Sequence, residues 1–268
     1  MYKKYLAVGA MVVSITLSAK AQCTGMLDSA KKELYRINKV FDSASYLGFD
    51  MNVTYYTDTC SLNCSRQEAK TISYQLNAKN YYYSAGNVEY MKNDSFTISI
   101  DHDEKTLIVS PSLPASPATV FMLQDFIDYS LNVYDTIFNI CITDVDSFSR
   151  KITFTANSKH SPYTSLVITY DTESYQPQLI ETALLEKLFL DVGPTDLIPQ
   201  HKDTLNQYLV MRFESYRPIP TGKVFDEKLY FVKQRGINRY LPADKYKYYQ
   251  FITAGLDEEP IEDNPVEY

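Results

Sequence analysis

The chain has 268 residues and a formal net charge of −7, with 24 tyrosines, 8 glycines and no tryptophan. Because the balance is acidic and no stripe of lysine and arginine interrupts it, the sequence argues against nucleic-acid binding. The few glycines form neither a G-x-G-x-x-G sequence nor a P-loop, which argues against a nucleotide-binding fold. Frequent tyrosine and threonine favour strands with one solvated face.

The N-terminal residues predict export. A basic start is followed by an apolar stretch over residues 5–18 and by the small-residue signal Ala19-Lys20-Ala21. This order of features is typical of a signal peptide, and the apolar stretch is shorter than the ~20 residues that span a bilayer. We therefore predict a signal peptide over residues 1–21 and an exported mature chain without a transmembrane segment. The periplasm is the predicted location, and an extracellular or outer-membrane-associated position is the alternative.

Four cysteines remain in the exported chain: Cys23, Cys60, Cys64 and Cys141. An even number of cysteines in an oxidising compartment favours disulfides. We predict a Cys60–Cys64 bond and a Cys23–Cys141 bond that ties the mature N-terminus to the middle of the chain. Zinc is the alternative for Cys60 and Cys64, but no second Cys/His pair completes four ligands. Lipidation at Cys23 is disfavoured, since Gln22 stands where a small residue is needed.

The first predicted element after the signal is an amphipathic helix over residues 27–42. Its apolar positions fall on one helical face: Leu27, Ala30, Leu34, Ile37 and Phe41. A short connection over residues 43–48 leads to a strand, so the helix is expected to lie against the sheet that it enters. We expect the helix face to meet the alternating apolar residues of that strand, Phe49, Met51, Val53 and Tyr55.

From residue 49 the hydrophobic period changes to two, which is typical of strands. Period-two runs cover residues 49–55, 71–79, 96–100 and 106–110, and residues 81–90 are predicted to form a hairpin with Val88 and Tyr90 in a strand. A second helix is predicted over residues 116–132, with Ser116 as its cap and Pro117 at its first position. The later strands are predicted at residues 138–143, 151–156, 165–170, 178–185, 207–215, 223–232 and 245–253. A Pro- and Asp-rich loop at about 191–204 divides these later strands into two groups.

Strands on both sides of helix 116–132, without βαβ alternation, predict a β-rich α+β fold. We expect a curved antiparallel sheet, an incomplete barrel, that covers one or two helices. Residues 22–256 are predicted to form a single domain. Residues 257–268 contain six acids and two prolines, so a disordered acidic tail is predicted there.

No catalytic motif stands out in the chain. The three histidines are not at metal-ligand spacing, and no G-x-S-x-G sequence occurs. His102 lies within Asp101–Lys105, a polar stretch between two alternating runs that predicts a hairpin turn rather than a metal site. We therefore predict a binding protein and not an enzyme, with no cofactor and no metal. A carboxylate pair that the fold brings together stays open, so a hydrolase is the third hypothesis.

The tyrosines cluster at residues 55–56, 81–83 and 248–249. Neighbours on a strand point to opposite faces, so Tyr82 is expected to oppose Tyr81 and Tyr83. Half of each cluster is predicted to lie in the core. The other half is either ordinary sheet packing or an aromatic surface for a partner, a glycan or a lipid chain.

The order of elements resembles the periplasmic lipoprotein-carrier (LolA/LolB-like) fold over about residues 27–190, and the stretch Asn80–Pro111 is the most similar. That fold is a curved, incompletely closed antiparallel sheet with helices on its concave side. The resemblance implies a pocket for acyl chains or for a hydrophobic partner segment between sheet and helices. The absent tryptophan, the insertion around Cys60–Cys64 and the length of residues 191–268 depart from a minimal carrier. Composition is typical of a Gram-negative bacterial source.

These observations give one leading functional hypothesis and one alternative of another class. The leading hypothesis is an envelope carrier or scaffold that holds a lipid-like ligand or a protein partner. The alternative is an envelope structural or secretion-accessory protein that acts through sheet edges and tyrosines without a small ligand. The oligomeric state is left open. The candidate ligand-binding residues are Leu34, Phe41, Phe49, Val53 and Phe96.

Overall fold

The computed structural model describes residues 26–57, 68–112, 138–157, 163–184, 207–219, 222–234 and 239–256. The predicted signal peptide, helix 116–132, loop 191–204 and acidic tail lie outside the described residues. The same is true of Cys23, Cys60 and Cys64. These predictions therefore stay predictions, as do the domain limits.

One α-helix and fourteen strands make up the described part of the chain, together with three short 3₁₀ helices. Helix α1 spans Leu27–Asp42, as predicted. The strands are β1 Leu47–Thr57, β2 Glu68–Asn77, β3 Asn80–Ala85, β4 Val88–Lys92, β5 Phe96–Asp101, β6 Thr106–Pro111, β7 Phe138–Asp144, β8 Ser149–Ala156, β9 Tyr163–Asp171, β10 Pro177–Leu184, β11 Gln207–Pro218, β12 Phe231–Gln234, β13 Arg239–Pro242 and β14 Gln250–Thr253.

Twelve of the strands form one curved sheet that does not close into a barrel, which confirms the predicted fold class. Their order is β14-β6-β5-β4-β3-β2-β1-β11-β10-β9-β8-β7, and β12 pairs with β13 as a separate hairpin. All neighbours are antiparallel except β14, which runs parallel to β6. Strand β11 pairs with β1. This pairing joins the antiparallel strands β1–β6 to the antiparallel strands β7–β10 in the middle of the sheet.

Alternation along the strands gives the sheet two faces. The side that packs against α1, called the helix face, carries the apolar positions predicted for the first strand, of which Phe49, Met51 and Tyr55 are buried and Val53 is partly buried. On this face Phe49 and Met51 belong to the same buried cluster as Leu34, Ile37 and Phe41 of the helix, as expected. The central strands carry polar residues on the opposite face, where Asp50 accepts hydrogen bonds from Ser73 and Arg217.

Beyond β4 the face opposite α1 is covered by the C-terminal segment. Residues 222–234 and 239–249, called the cap, bury Phe225, Tyr230, Phe231 and Tyr246 against β4, β5 and β6. The sheet side beneath the cap is called the cap face. It contains Met91, Ile98, Ile100, Leu107 and Val109.

The cap corrects two sequence-based predictions. The sequence pattern predicts one strand over residues 223–232, but these residues form two 3₁₀ helices, Lys223–Phe225 and Glu227–Leu229, before β12 begins at Phe231. Residues 245–253 likewise begin in the 3₁₀ helix Asp244–Tyr246, and only Gln250–Thr253 is a strand. The Asp226 side chain accepts a hydrogen bond from the Lys228 backbone, which favours a turn over an extended chain. The four large aromatic rings of the cap are buried against the sheet, and this packing overrides the local strand preference of the segment.

Two further features bear on the predictions from sequence. Cys141 on β7 is disulfide-bonded, and its partner lies outside the described residues, so the pairing stays a prediction. Across the described segments, no helix combines the length and apolar character needed to cross a bilayer.

Candidate functional site

Polar contacts fix α1 on the helix face. The Tyr170 hydroxyl donates to Glu33 at 2.8 Å, and Arg36 donates to the Tyr175 hydroxyl at 2.8 Å. Arg36 also donates to Glu33 at 3.3 Å. Tyr175 has a left-handed backbone, with φ of 58°, and its ring stacks on Tyr170. These contacts tie one flank of the helix to β9 and to the turn after it.

Beneath α1 the aromatic rings are in direct contact. The ring centroid of Phe49 lies 5.7 Å from that of Phe41, 5.1 Å from Tyr74 and 5.8 Å from Phe213. Leu34, Phe41 and Phe49 have no exposed surface. Three of the predicted ligand-binding residues therefore come together, but as packed core. The fourth, Val53, lies partly buried at the border of the same cluster.

Phe96 is separated from the other candidate residues. It lies in the cluster beneath the cap, where its ring meets Phe231 edge-on at 5.0 Å. Phe96, Ile98 and Ile100 alternate along β5, so all three point to the cap face. The sequence places Phe96 on a strand correctly, but the face that it occupies depends on the register with β4 and on the cap.

The helix face carries a longer feature that the sequence did not reveal. One residue from each of seven neighbouring strands lies in register, and together they form what we call the cross-strand row. Its members are Phe49, Tyr74, Tyr83, Tyr90, Ser99, Ile108 and Ile252. At ~4.8 Å per strand, six steps give the row a length of about 29 Å.

Burial decreases along this row. Phe49 is 0% exposed, whereas Ile108 and Ile252 at the far end are 38% and 36% exposed. Between them the rings of Tyr83 and Tyr90 stack at 5.2 Å. Ser99 follows Tyr90 in the row. Its side chain is much smaller than those of Tyr90 and Ile108 on either side, so the surface is recessed at Ser99. The row thus runs from closed core beneath α1 to an apolar surface that is accessible in part.

Buried hydroxyls lie on the same face. Within the described residues, the hydroxyls of Tyr55 and Tyr83 are buried without a hydrogen-bond partner. Burial and the neighbouring Tyr90 raise the pKa of Tyr83, so its hydroxyl keeps its proton at pH values where an exposed tyrosine loses it. An unsatisfied buried donor costs about 1–3 kcal/mol. A ligand with an acceptor group would recover part of that cost.

The predicted turn at Asp101–Lys105 is confirmed, and it has an additional role. His102 Nε2 lies 2.7 Å from Glu89 Oε1, and Nδ1 lies 2.8 Å from the Tyr249 hydroxyl. The two partners are 13 and 147 residues away in sequence, so no local pattern could have indicated them. Over the described stretches of chain, no group of three potential metal ligands lies together.

No family model and no curated protein matches the sequence. Among solved structures, the chain is similar to an uncharacterised conserved protein of Thermus thermophilus, with 9% identity, 84% of this chain and 99% of that chain covered, and a TM-score of 0.39. It is also similar to a chain of the Pseudomonas aeruginosa MucA/MucB complex, with 10% identity, coverage of 74% and 60%, and a TM-score of 0.41. A LolA superfamily protein of Nitrosomonas europaea gives 9% identity, coverage of 73% and 96%, and a TM-score of 0.28.

These similarities concern the fold alone. The resemblance to the LolA-like fold that the element order predicts is confirmed at that level, since a helix precedes a large, open antiparallel sheet. The cap is an addition at the C-terminal end of this arrangement, beyond residues 27–190, over which the order of elements resembles that fold.

Proposed function

We propose that the protein is an exported envelope carrier that holds a lipid-like ligand, or a hydrophobic segment of a protein partner, along the cross-strand row. The observation that carries this proposal is the gradient of burial along the row, from Phe49 beneath α1 to the part-exposed Ile108 and Ile252. An apolar chain laid across β3 to β14 would bury the open end of the row. Burial of each CH₂ group contributes about 0.8 kcal/mol.

The tyrosine hydroxyls support a ligand with a polar group. Tyr83 lies between the closed and open parts of the row, and its hydroxyl lacks a partner among the described side chains. A carbonyl or hydroxyl oxygen of the ligand would accept a hydrogen bond from this hydroxyl. We infer an amphipathic ligand whose polar end lies near Tyr83 and whose apolar part extends past Ser99 toward Ile252.

Binding of a dansyl-labelled long-chain fatty acid, measured by fluorescence, tests the proposal. Ser99→Trp should place a large side chain in the recess at Ser99 and weaken binding at least tenfold. Thr155→Trp is the matched control, because Thr155 is exposed on β8 and points away from the helix face. The absence of probe binding to the unmodified protein, or equal loss in both variants, would contradict a carrier role.

Tyr83→Phe separates ligand binding from folding. Removal of a buried hydroxyl that has no partner should stabilise the protein by about 1 kcal/mol. If the same hydroxyl donates to the ligand, the variant should bind the probe about fivefold more weakly, which corresponds to about 1 kcal/mol. Stabilisation without any change in affinity would remove Tyr83 from the site.

The second candidate function is an envelope scaffold without a small ligand. The observation in its favour is the close packing of Leu34, Phe41 and Phe49, which leaves no exposed surface at three predicted ligand-binding positions. Val53→Trp distinguishes the two functions. Destabilisation by about 1–3 kcal/mol through overpacking, in a protein that binds no acyl probe, would favour the scaffold.

A further inference from the structure

The cap differs in charge from the rest of the molecule. Its described residues carry six basic side chains and three acidic ones: Lys223, Lys228, Lys233, Arg239, Lys245, Lys247, Asp226, Glu227 and Asp244. The described cap therefore has a formal charge of +3, whereas the whole chain has −7. The remainder of the chain carries −10 by difference. A basic surface on an acidic protein orients the molecule toward an anionic partner.

The outer side of the cap also exposes large apolar side chains. Phe231 points into the sheet, so Val232 on the same strand points away from it, and Val232 is 46% exposed. Leu229 is 48% exposed and precedes the inward Tyr230. Tyr248 is 80% exposed, with the Lys247 ammonium 4.9 Å from its ring centroid. Aliphatic, tyrosine and lysine side chains together are the composition of a surface that lies at a lipid interface.

We propose that the outer side of the cap docks the protein on an anionic lipid bilayer. Leu229, Val232 and Tyr248 enter the headgroup region, and Lys228 and Lys247 lie against the lipid phosphates. The six acids of residues 257–268 follow the cap in the chain and oppose this attraction. The apolar side chains must therefore supply part of the binding, and charge alone does not account for it.

Co-sedimentation with vesicles tests the proposal on the full-length mature protein. Binding is expected to mixed phosphatidylcholine and phosphatidylglycerol vesicles, to weaken as salt is raised, and to be at least tenfold weaker with phosphatidylcholine alone. Each lysine near an anionic surface strengthens binding about fivefold, so Lys228→Gln with Lys247→Gln should weaken it about 25-fold. The matched control is Lys32→Gln with Lys39→Gln on the exposed side of α1, which should change binding less than about twofold.

A second variant distinguishes a bilayer from an acidic protein partner. Leu229→Ser with Val232→Ser leaves the charge unchanged and should weaken vesicle binding at least tenfold. Both residues are about half exposed, so the fold is expected to persist, and circular dichroism verifies this. Vesicle binding that depends on the lysines but not on Leu229 and Val232 would overturn the proposal, because a purely electrostatic contact is one that any acidic macromolecule could make. Failure of the unmodified protein to bind anionic vesicles would overturn it outright.

Discussion

The imidazole of His102 and the hydroxyl of Tyr249, 147 residues apart in sequence, lie 2.8 Å from each other. Through this contact the β5–β6 turn holds the C-terminal segment just before β14 pairs with β6. Glu89 on β4 binds the other ring nitrogen at 2.7 Å and fixes the orientation of the imidazole. The cap is therefore attached by a polar contact as well as by its buried aromatic rings.

Tyr249→Phe should lower the free energy of unfolding by about 0.5–1.5 kcal/mol, because His102 Nδ1 loses its partner in a half-buried position. Urea denaturation followed by circular dichroism measures the change. Tyr248→Phe is the matched control, since Tyr248 is 80% exposed, and it should have no measurable effect. Equal effects of the two variants would show that the Tyr249 contact contributes nothing to stability.

Phe49→Ala should destabilise the protein by about 3–5 kcal/mol, because it removes a fully buried ring that contacts four other rings. Those rings belong to Phe41, Tyr74, Phe213 and Tyr216. Tyr35→Ala on the exposed side of α1 should change stability by less than about 0.5 kcal/mol. A loss of under about 1 kcal/mol at Phe49 would mean that the helix face is not a packed core.

Stability should fall steeply in alkali. Burial raises the pKa of Tyr74, Tyr81, Tyr83, Tyr216 and Tyr230 above the ordinary value of 10.0. Above about pH 10 the unfolded chain loses these protons while the folded chain keeps them, so each such tyrosine lowers the free energy of unfolding by about 1.4 kcal/mol per pH unit.

Urea denaturation at several pH values above about 10 measures that slope. Tyr83→Phe removes one of the buried groups and should make the slope shallower by about 1.4 kcal/mol per pH unit, whereas Tyr248→Phe should not. A slope that stays the same in the Tyr83 variant would contradict the assignment of Tyr83 as a buried, protonated hydroxyl.

Two turns contain residues in the left-handed backbone region and should respond oppositely to substitution. Ala78, between β2 and β3, has φ of 54°, and Gly86, between β3 and β4, has φ of 58°. An L-residue in this region costs about 1–2 kcal/mol, while glycine is tolerated. Ala78→Gly should therefore be neutral or stabilising by up to about 1 kcal/mol, and Gly86→Ala should destabilise by about 1 kcal/mol. Destabilisation by Ala78→Gly in thermal unfolding would contradict this account.

The non-reduced mature protein should contain no free thiol. Mass spectrometry after alkylation measures this directly, and peptide mapping should find Cys60 joined to Cys64 and Cys23 joined to Cys141. A Cys23–Cys141 bond closes a loop of over a hundred residues and should contribute about 3–5 kcal/mol, whereas the short Cys60–Cys64 loop should contribute little. Four alkylated cysteines would refute both pairings.

The sequence alone determined the elements whose signal is local. The 3.6-residue period from Leu27 to Phe41 predicts α1, and alternation from Phe49 to Tyr55 predicts the first strand and its buried face. The Asp101–Lys105 turn and the opposition of Tyr82 to Tyr81 and Tyr83 were predictable for the same reason. In each case the information lies within a few residues, because helix and strand periods fix which side chains share a face.

The tertiary structure decided what depends on pairing between distant segments. The cross-strand row exists only because registers across seven strands place Ser99 beside Tyr90 and Ile252 beside Ile108. Phe96 belongs to the cap face because residues of the C-terminal segment pack against it there. The local sequence of β5 is equally compatible with a position in a ligand site. The contact between His102 and Tyr249 likewise exists only because the C-terminal segment packs beside the β5–β6 turn. A strand's sequence specifies an alternation of faces, but neighbours from elsewhere in the chain decide what each face meets.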